Sequence, residues 1–267
     1  MLRLKKHHLY FAVYFLQTTP LLADTAIDAS LKLLHFDYEE FDESGASFNS
    51  ETGYIPGVAL SFSSTQQQVT SLISIESYDG RVDYDGQTQS GIPHETDTDE
   101  TLLRLFYRLD WSPENKDNSF YGKIAWQQWD RDILTAGYVS GLFEQYQWWS
   151  YEVGISTIFP VDDSSQWQLE FGTSKIDNGS IEIDLSRQGF GRPELNLGDS
   201  YGMTAAALYQ HTLTDRNTIS LGLQYQRWKF GKSNTEYISN GFEGYEIYEP
   251  RSTSKHTIVS FNYSFLF

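Results

Sequence analysis

The C-terminal residues follow a strict two-residue pattern, which limits the folds open to this chain more than any other feature. One set of alternate positions is large or β-branched, and the set between them is mostly small or polar. The first set is Thr257, Val259, Phe261, Tyr263, Phe265 and Phe267, and the second is His256, Ile258, Ser260, Asn262, Ser264 and Leu266. Successive side chains of a β-strand point to opposite faces. The segment is therefore predicted to be a strand with one apolar face, which packs on a core or faces lipid.

The N-terminal residues have the composition of an export signal. Arg3, Lys5 and Lys6 are followed by the mostly apolar stretch Leu9–Leu22, and Ala23 is a small residue suited to cleavage. The apolar stretch is shorter than the roughly 20 residues that a helix needs to span a bilayer. We therefore expect a signal peptide over 1–23 and a single exported domain over 24–267.

Strand-like alternation recurs throughout residues 24–267, while helical periodicity is scarce. The pattern predicts ten strands, near 31–42, 54–64, 68–79, 100–111, 119–131, 144–159, 165–176, 200–213, 217–229 and 255–267. Short connections rich in Ser, Pro, Asp and Asn alternate with long ones near 43–53, 80–99, 132–143, 177–199 and 230–254. Eight or twelve strands stay possible if a connection is misassigned. An even number places both ends of the domain on the same side.

Aromatic residues make up 16% of the chain although its hydrophobic share is only 39%. This combination suits a barrel with aromatic residues at two membrane interfaces and a polar interior. The terminal Phe267, with Phe265 and Tyr263 before it, resembles the C-terminal insertion signal of bacterial outer-membrane β-barrels. The resemblance implies an all-β, transmembrane, antiparallel up-and-down barrel in the outer membrane of a Gram-negative cell, exported through the periplasm. It also implies a monomer that contacts outer-membrane lipid, lipopolysaccharide and the outer-membrane assembly machinery.

The net charge of −17 excludes one class of partner. Nucleic-acid binding requires clustered Lys and Arg to contact phosphates, so no nucleic-acid partner is expected. The chain has no Cys, which fits a protein exported to an oxidising compartment.

The side chains opposite the apolar faces are predicted to line the lumen. They mix acids with bases and include Asp37, Glu39, Glu76, Arg104, Arg108, Lys123, Gln127, Glu152, Gln168, Glu170, Gln224 and Gln226. Ten strands enclose little more space than eight, which leave room for little beyond side chains. A lumen filled by ion pairs is the first expectation. A narrow, porin-like pore for small solutes is the alternative.

The second long connection is the best candidate for chemistry, since external loops commonly carry function. It contains Asp83 and Asp85, spaced as D-x-D. Here the chain is similar to the omptins, ten-stranded outer-membrane proteases with such a pair on this loop. The resemblance implies catalytic roles for Asp83 and Asp85. The family completes its site with an Asp and a His on the fourth loop, and residues 177–199 of this chain contain no His.

The same acidic connection could bind a ligand or a hard cation such as Ca²⁺, which takes several oxygen ligands. The candidate residues are Asp79, Asp83, Asp85, Asp97 and Asp99. The complete calcium-loop pattern fails, because Ser90 stands at the twelfth position counted from Asp79. No other cofactor or metal site is predicted, and a solvated acidic loop is the simpler interpretation.

Two aromatic groups are also predicted to lie at the external end. The first flanks the third long connection and is interpreted as an interfacial girdle, with stacking on sugar rings as the alternative. It comprises Trp126, Trp129, Tyr146, Trp148, Trp149 and Tyr151. The second group lies on the fifth long connection and comprises Tyr237, Phe242, Tyr245 and Tyr248. This connection is too long for a simple turn and is expected to fold over the barrel mouth. The sequence thus favours a structural or ligand-binding surface barrel, with an omptin-like protease and a narrow pore as alternatives.

Overall fold

The structure, a computed structural model, describes residues 24–88, 91–113 and 117–267. Ten long antiparallel strands form a closed wall, because the first strand pairs with the last. The wall strands are β1 (Asp24–Phe41), β2 (Ser47–Gln66), β3 (Val69–Gln87), β4 (Pro93–Trp111), β5 (Asn118–Ile133), β6 (Leu142–Pro160), β7 (Ser165–Asp184), β9 (Gly198–Thr214), β10 (Asn217–Gly231) and β13 (Arg251–Leu266). Three short strands complete the fold: β8 (Glu194–Asn196), β11 (Glu236–Ser239) and β12 (Gly244–Ile247).

Each wall strand pairs with its neighbours in chain order, so the predicted all-β, up-and-down barrel of ten strands is confirmed. Short turns connect the strands at one end, for example at 67–68 and 215–216. The predicted signal peptide, 1–23, lies outside the described residues. Within the described part of the chain, no helix is long and apolar enough to cross a membrane.

The strands are longer than predicted at the end where the long connections lie. Residues 80–99 were expected to form a loop, but β3 and β4 continue in register as far as the pair Gln87 and Pro93. Frequent Gly and Asp residues, as in these extensions, are typical of loops in a sequence. In the barrel, however, they satisfy their backbone hydrogen bonds by pairing with the neighbouring strand.

The outward face of the wall changes character at one level. Exposed apolar residues such as Leu33, Leu105 and Val259 form a band around the barrel. Beyond this band the outward residues become charged, as at Asp37 in β1 and Asp99 in β4. We call the described part beyond the band the external rim, which comprises 37–53, 79–88, 91–101, 127–147, 175–201 and 227–255. The band has the composition of a lipid-facing surface, and the rim stands outside it.

The fifth long connection folds back over the barrel. Strands β11 and β12 form a hairpin whose Ile238 and Ile247 are buried in one hydrophobic cluster with Ile181, Ile183 and Leu195. We call residues 233–249 the lid. The lid lies at the external end of the barrel, where Ile238 and Ile247 pack on residues of β7 and β8 and the ring of Tyr245 contacts that of Phe190.

Candidate functional site

The ion pairs in the barrel interior at the level of the apolar band join four cations to four carboxylates. The ion pairs join Lys32 and Arg104 to Glu76, Lys123 to Glu152, and Arg108 to Asp110 and Glu170. Their closest N–O distances run from 2.5 Å for Lys32–Glu76 to 3.5 Å for Arg104–Glu76. We call this set the inner network. Its balance limits the cost of burying charge, because each ion has a partner of opposite sign.

Contacts within the interior span the whole diameter of the barrel. Arg104 Nη2 on β4 donates to Gln226 Oε1 on β10 at 2.9 Å, and these strands lie halfway round the wall from each other. Tyr38 on β1 and Tyr146 on β6 are also opposite, and their hydroxyl oxygens lie 3.4 Å apart. Side chains therefore bridge the lumen at two levels.

A second charged group lies higher, within the external rim. Arg131 is almost completely buried, and its guanidinium contacts Glu144 at 2.6 Å, Glu51 at 2.9 Å and Glu40 at 3.3 Å. Glu100 and Glu249 are buried beside them. We call these six residues the Arg131 cluster. One guanidinium thus faces five carboxyl groups, in contrast to the equal numbers of the inner network.

Uncharged side chains donate hydrogen bonds to most of these carboxyl groups. Tyr146 and Tyr38 donate to Glu249 Oε1 at 2.7 and 3.2 Å. The other donors are Asn49 to Glu40, Thr98 to Glu51, and the indole N–H of Trp129 to Glu100. Two buried carboxyl oxygens, Glu51 Oε2 and Glu100 Oε1, have no hydrogen-bond partner among the described residues.

Burial and mutual repulsion raise several pKa values in the Arg131 cluster. Burial, and then the charge of Glu51, raises the pKa of Glu100 well above its ordinary value. The pKa of Glu249 is also raised well above its ordinary value, by burial and then by Glu40 and Glu144. Burial raises the pKa of Glu144 to about 7, although Arg131 opposes the shift. The ionised form is therefore disfavoured at these three positions.

The structure places the predicted catalytic pair, Asp83 and Asp85, on the outside of the barrel. Both side chains are exposed and alternate with the inward Val82 and Tyr84 of β3. His94, within the external rim, is buried on the inward side of β4, where its Nε2 lies 3.1 Å from the carbonyl oxygen of Leu134. Among the described residues, no hydrogen bond or ion pair joins a histidine to Asp83 or Asp85. The sequence already indicated this outward placement. Asp83 and Asp85 occupy the same set of alternate positions in β3 as the exposed Ile73 and Ile75, so all four side chains lie on one face.

The predicted acidic ligand set lies on this same outer face. Register pairs Asp83 with Asp97, while Arg81 bridges to Asp99 at 2.6 Å and Asp79 accepts from Thr101 at 3.0 Å. A shallow, open groove beside Asp83 and Asp85 is lined by Ser50, Thr52 and Glu95. Among the described residues, no group of three or more His, Asp or Glu side chains is arranged to hold a metal ion. The Ca²⁺ site stays a prediction.

Most of the residues predicted to line the lumen do face it: Glu76, Arg104, Arg108, Lys123, Glu152 and Glu170 all belong to the inner network. The prediction was wrong for Asp37 and Glu39, because both side chains lie on the outer face, where Lys255 bridges Glu39 and Asp37 at 3.2 and 2.9 Å. Glu40 faces inward instead. The apolar pattern of β1 was ambiguous, since Leu33 faces out and Leu34 faces in.

The aromatic group beside the third connection does not form a single girdle. Trp129, Tyr146 and Trp148 are buried inside the barrel, where the rings of Trp129 and Tyr146 stack at 4.6 Å. Trp126, Trp149 and Tyr151 occupy the alternate, outward positions. Strand alternation divides the group, and the inner half packs around the Arg131 cluster.

Three cations on the outer face share one location at the lower edge of the rim. Lys175 on β7 and Lys229 on β10 flank Tyr201 on β9 in register, and Arg227 is the next outward residue of β10 below Lys229. Lys229 Nζ lies 5.7 Å from the centroid of the Tyr201 ring. No carboxylate of the described chain pairs with these three cations, and Arg227 Nε is buried without a partner. We call Lys175, Tyr201, Arg227 and Lys229 the basic row.

The fold is similar to that of solved outer-membrane proteins. The outer membrane protease OmpT from Escherichia coli superposes with a TM-score of 0.60 at 9% identity, over 91% of this chain and 97% of that one. The fold is that of a bacterial outer-membrane β-barrel. The translocator domain of the autotransporter NalP from Neisseria meningitidis matches less well, with a TM-score of 0.48 at 10% identity over 91% and 88% of the chains. No protein-family model and no curated protein sequence matches this outer-membrane barrel.

Proposed function

We propose that this protein is a closed outer-membrane barrel that acts as a structural and ligand-binding protein of the cell surface. The contact of Arg104 with Gln226 carries this proposal, because it joins opposite walls at the level of the apolar band. Other members of the inner network lie below that contact, and the Arg131 cluster lies above it. A narrow pore would need an open path past these groups, and breaking buried ion pairs to create one is costly. A protease would need a histidine beside Asp83 and Asp85.

Planar-bilayer recording tests the closed state directly. The mature chain, 24–267, is refolded in detergent and reconstituted, with a water-filled porin prepared in parallel to show that insertion is detectable. The expected result is the absence of steady conductance steps, while protease protection of the reconstituted barrel shows that it has inserted. Reproducible steps from the inserted barrel would contradict the proposal.

The ligand we propose is the phosphate of outer-leaflet lipopolysaccharide, bound at the basic row. Lys175, Arg227 and Lys229 lie where the outward surface changes from apolar to charged, which is the level of lipid headgroups. Arg and Lys are the preferred partners of phosphate groups, and these three have no carboxylate to neutralise them. Tyr201, between them, is half exposed and has the amphipathic character typical of interfacial residues.

Binding of phosphorylated and enzymatically dephosphorylated lipopolysaccharide to the refolded barrel tests this assignment. The wild type should bind the phosphorylated form more tightly, and the triple variant Lys175→Gln, Arg227→Gln and Lys229→Gln should lose that preference. Lys255→Gln is the matched control, because Lys255 is already paired with Asp37 and Glu39 on the same outer surface. Equal binding of the two lipids by the wild type would refute the phosphate site.

A further inference from the structure

The Arg131 cluster cannot be electrically balanced by its own side chains. If all five glutamates were ionised, one guanidinium would face five negative charges in a site closed to solvent. The inner network shows that this chain can match buried charges, since its cations and carboxylates are equal in number. Uncompensated buried charges are very costly, and buried acids take up protons to avoid them.

The Arg131 cluster also has too few hydrogen-bond donors for its buried carboxyl oxygens. Glu51 Oε1 accepts from Arg131 and Thr98, but Glu51 Oε2 receives no donor. Glu100 accepts from Trp129 on one oxygen, and its other oxygen is buried without a partner. Two carboxylates can only accept hydrogen bonds, whereas a protonated carboxyl also donates. A proton on Glu100 would supply the missing donor, and burial and then the charge of the neighbouring Glu51 raise the pKa of Glu100.

One member of the cluster belongs to the lid. Glu249 enters the barrel from the base of the lid and accepts from Tyr146 on β6 and Tyr38 on β1. Its backbone N–H donates to Ser233 Oγ at 2.7 Å, and Ser233 N–H donates to the carbonyl of Glu249 at 3.0 Å. The two ends of the lid are thereby joined beside the carboxyl. Glu249 thus connects the Arg131 cluster directly to the base of the lid.

We propose that the Arg131 cluster is a proton-binding site and that the protons bound there hold the lid at the external end of the barrel. The proton comes from solvent and returns to it when the lid opens. The titratable and charged groups that face one another there are Tyr38 and Glu40 from β1, Glu51 from β2, Tyr84 from β3, Glu100 from β4, Arg131 from β5, Glu144 and Tyr146 from β6, and Glu249 from the lid.

The direction of the pH effect follows from the raised pKa values of the acids. Below the ordinary pKa of glutamate, the acids are protonated whether the lid is closed or open, so closure has no pH-dependent cost. Above that pKa, opening the lid releases protons that the closed state retains. The population of the open state therefore increases as pH rises. For Glu144 this window runs from its ordinary value of 4.5 to about 7. Each proton released on opening shifts the opening equilibrium by up to about tenfold per pH unit.

Hydrogen–deuterium exchange of the lid in the refolded mature protein tests the proposal. After correction for intrinsic exchange rates, protection of residues 233–249 should be strong at pH 5 and decline steadily towards pH 8. Glu249→Gln keeps an acceptor for Tyr146 but removes the titration, so its lid should stay better protected at pH 8 than that of the wild type. Glu246→Gln is the matched control, because Glu246 is exposed on the same hairpin. This control should retain the wild-type pH dependence.

Infrared spectra of the same samples give a readout that does not depend on the lid. Protonated carboxyls should give a carbonyl stretch in the wild type at pH 7, and Glu100→Gln should weaken it. Heat-modifiable gel mobility shows that each variant has folded. Equal lid protection at pH 5 and pH 8 in the wild type would overturn the proposal. So would the same pH dependence in Glu249→Gln as in Glu246→Gln, or the absence of a protonated-carboxyl band at pH 7.

Discussion

Arg81 and Arg108 both bind carboxylates through two guanidinium nitrogens, but they lie on opposite sides of the wall. Arg108 contacts Asp110 and Glu170 within the barrel, while Arg81 contacts Asp99 at the exposed outer surface. Arg108→Ala leaves two largely buried carboxylates without their cation, and we expect it to lower the free energy of unfolding by about 3 kcal/mol. Denaturant titration of the detergent-refolded protein measures this loss.

Arg81→Ala is the matched comparison for that change. Its ion pair is more than half exposed on the arginine side, so solvent screens the attraction. We expect a loss of about 0.5 kcal/mol or less. Similar losses for the two variants would show that the inner network contributes no more than a surface pair.

A second residue-scale prediction concerns Glu144. Its pKa is raised from 4.5 to about 7 by burial, so its ionisation destabilises the folded protein as pH rises through this window. Glu144→Gln should therefore be more stable than the wild type at pH 8, by up to about 3 kcal/mol. At pH 4 the two should be similar, because the acid is protonated in both the folded and the unfolded states. Denaturant titrations at the two pH values measure the difference, and a less stable variant at pH 8 would contradict the assignment.

At the scale of the strands, alternation in the sequence was enough to predict their number and order. Strand β13 shows why, since its outward Val259, Phe261 and Tyr263 alternate cleanly with small or polar residues. In strand β1 the alternation is ambiguous. Apolar residues occupy both of its faces near Leu33 and Leu34, so parity alone assigned Glu39 to the wrong side.

The partners inside the barrel could not be predicted in the same way. Arg131 meets Glu40 and Glu51, which lie 91 and 80 positions away in the chain. Such pairs are set by the stagger of strands around a closed wall, which depends on the register of every strand pair together. The two-residue alternation shows which face of the wall a side chain occupies, but it does not show at which level along the barrel axis the side chain lies. The Arg131 cluster therefore became recognisable only in the structure.

The lid hairpin offers a prediction at this scale. Replacing residues 236–247 with a short Gly-Ser linker removes β11 and β12 but leaves the inner network intact. We expect the barrel to fold and to remain without steady conductance, because Arg104 and Gln226 still bridge the lumen. Planar-bilayer recording checks this. Conductance that appears in this variant alone would assign the closure to the lid rather than to the inner network.

For the whole molecule, the level at which the outward surface changes from apolar to charged predicts its depth in a membrane. The chain has no cysteine, so a single introduced cysteine reports on one site. In lipid vesicles, Leu105→Cys on the apolar band should resist a water-soluble maleimide, whereas Asp99→Cys on the same face of β4 should react. Both should react after unfolding. Equal labelling of the two in vesicles would place the band outside the lipid.

The contacts across the diameter also determine how the wall could come apart. Strands β1 and β13 meet where the two ends of the barrel sheet are joined, and in a hollow barrel only their backbone ladder would resist lateral separation. Here Tyr38 reaches Tyr146, and Arg104 reaches Gln226, from opposite sides of the circumference. Parting β1 from β13 must therefore also rupture contacts in the interior. The filled centre makes the barrel mechanically stiff and resists its opening sideways into the bilayer.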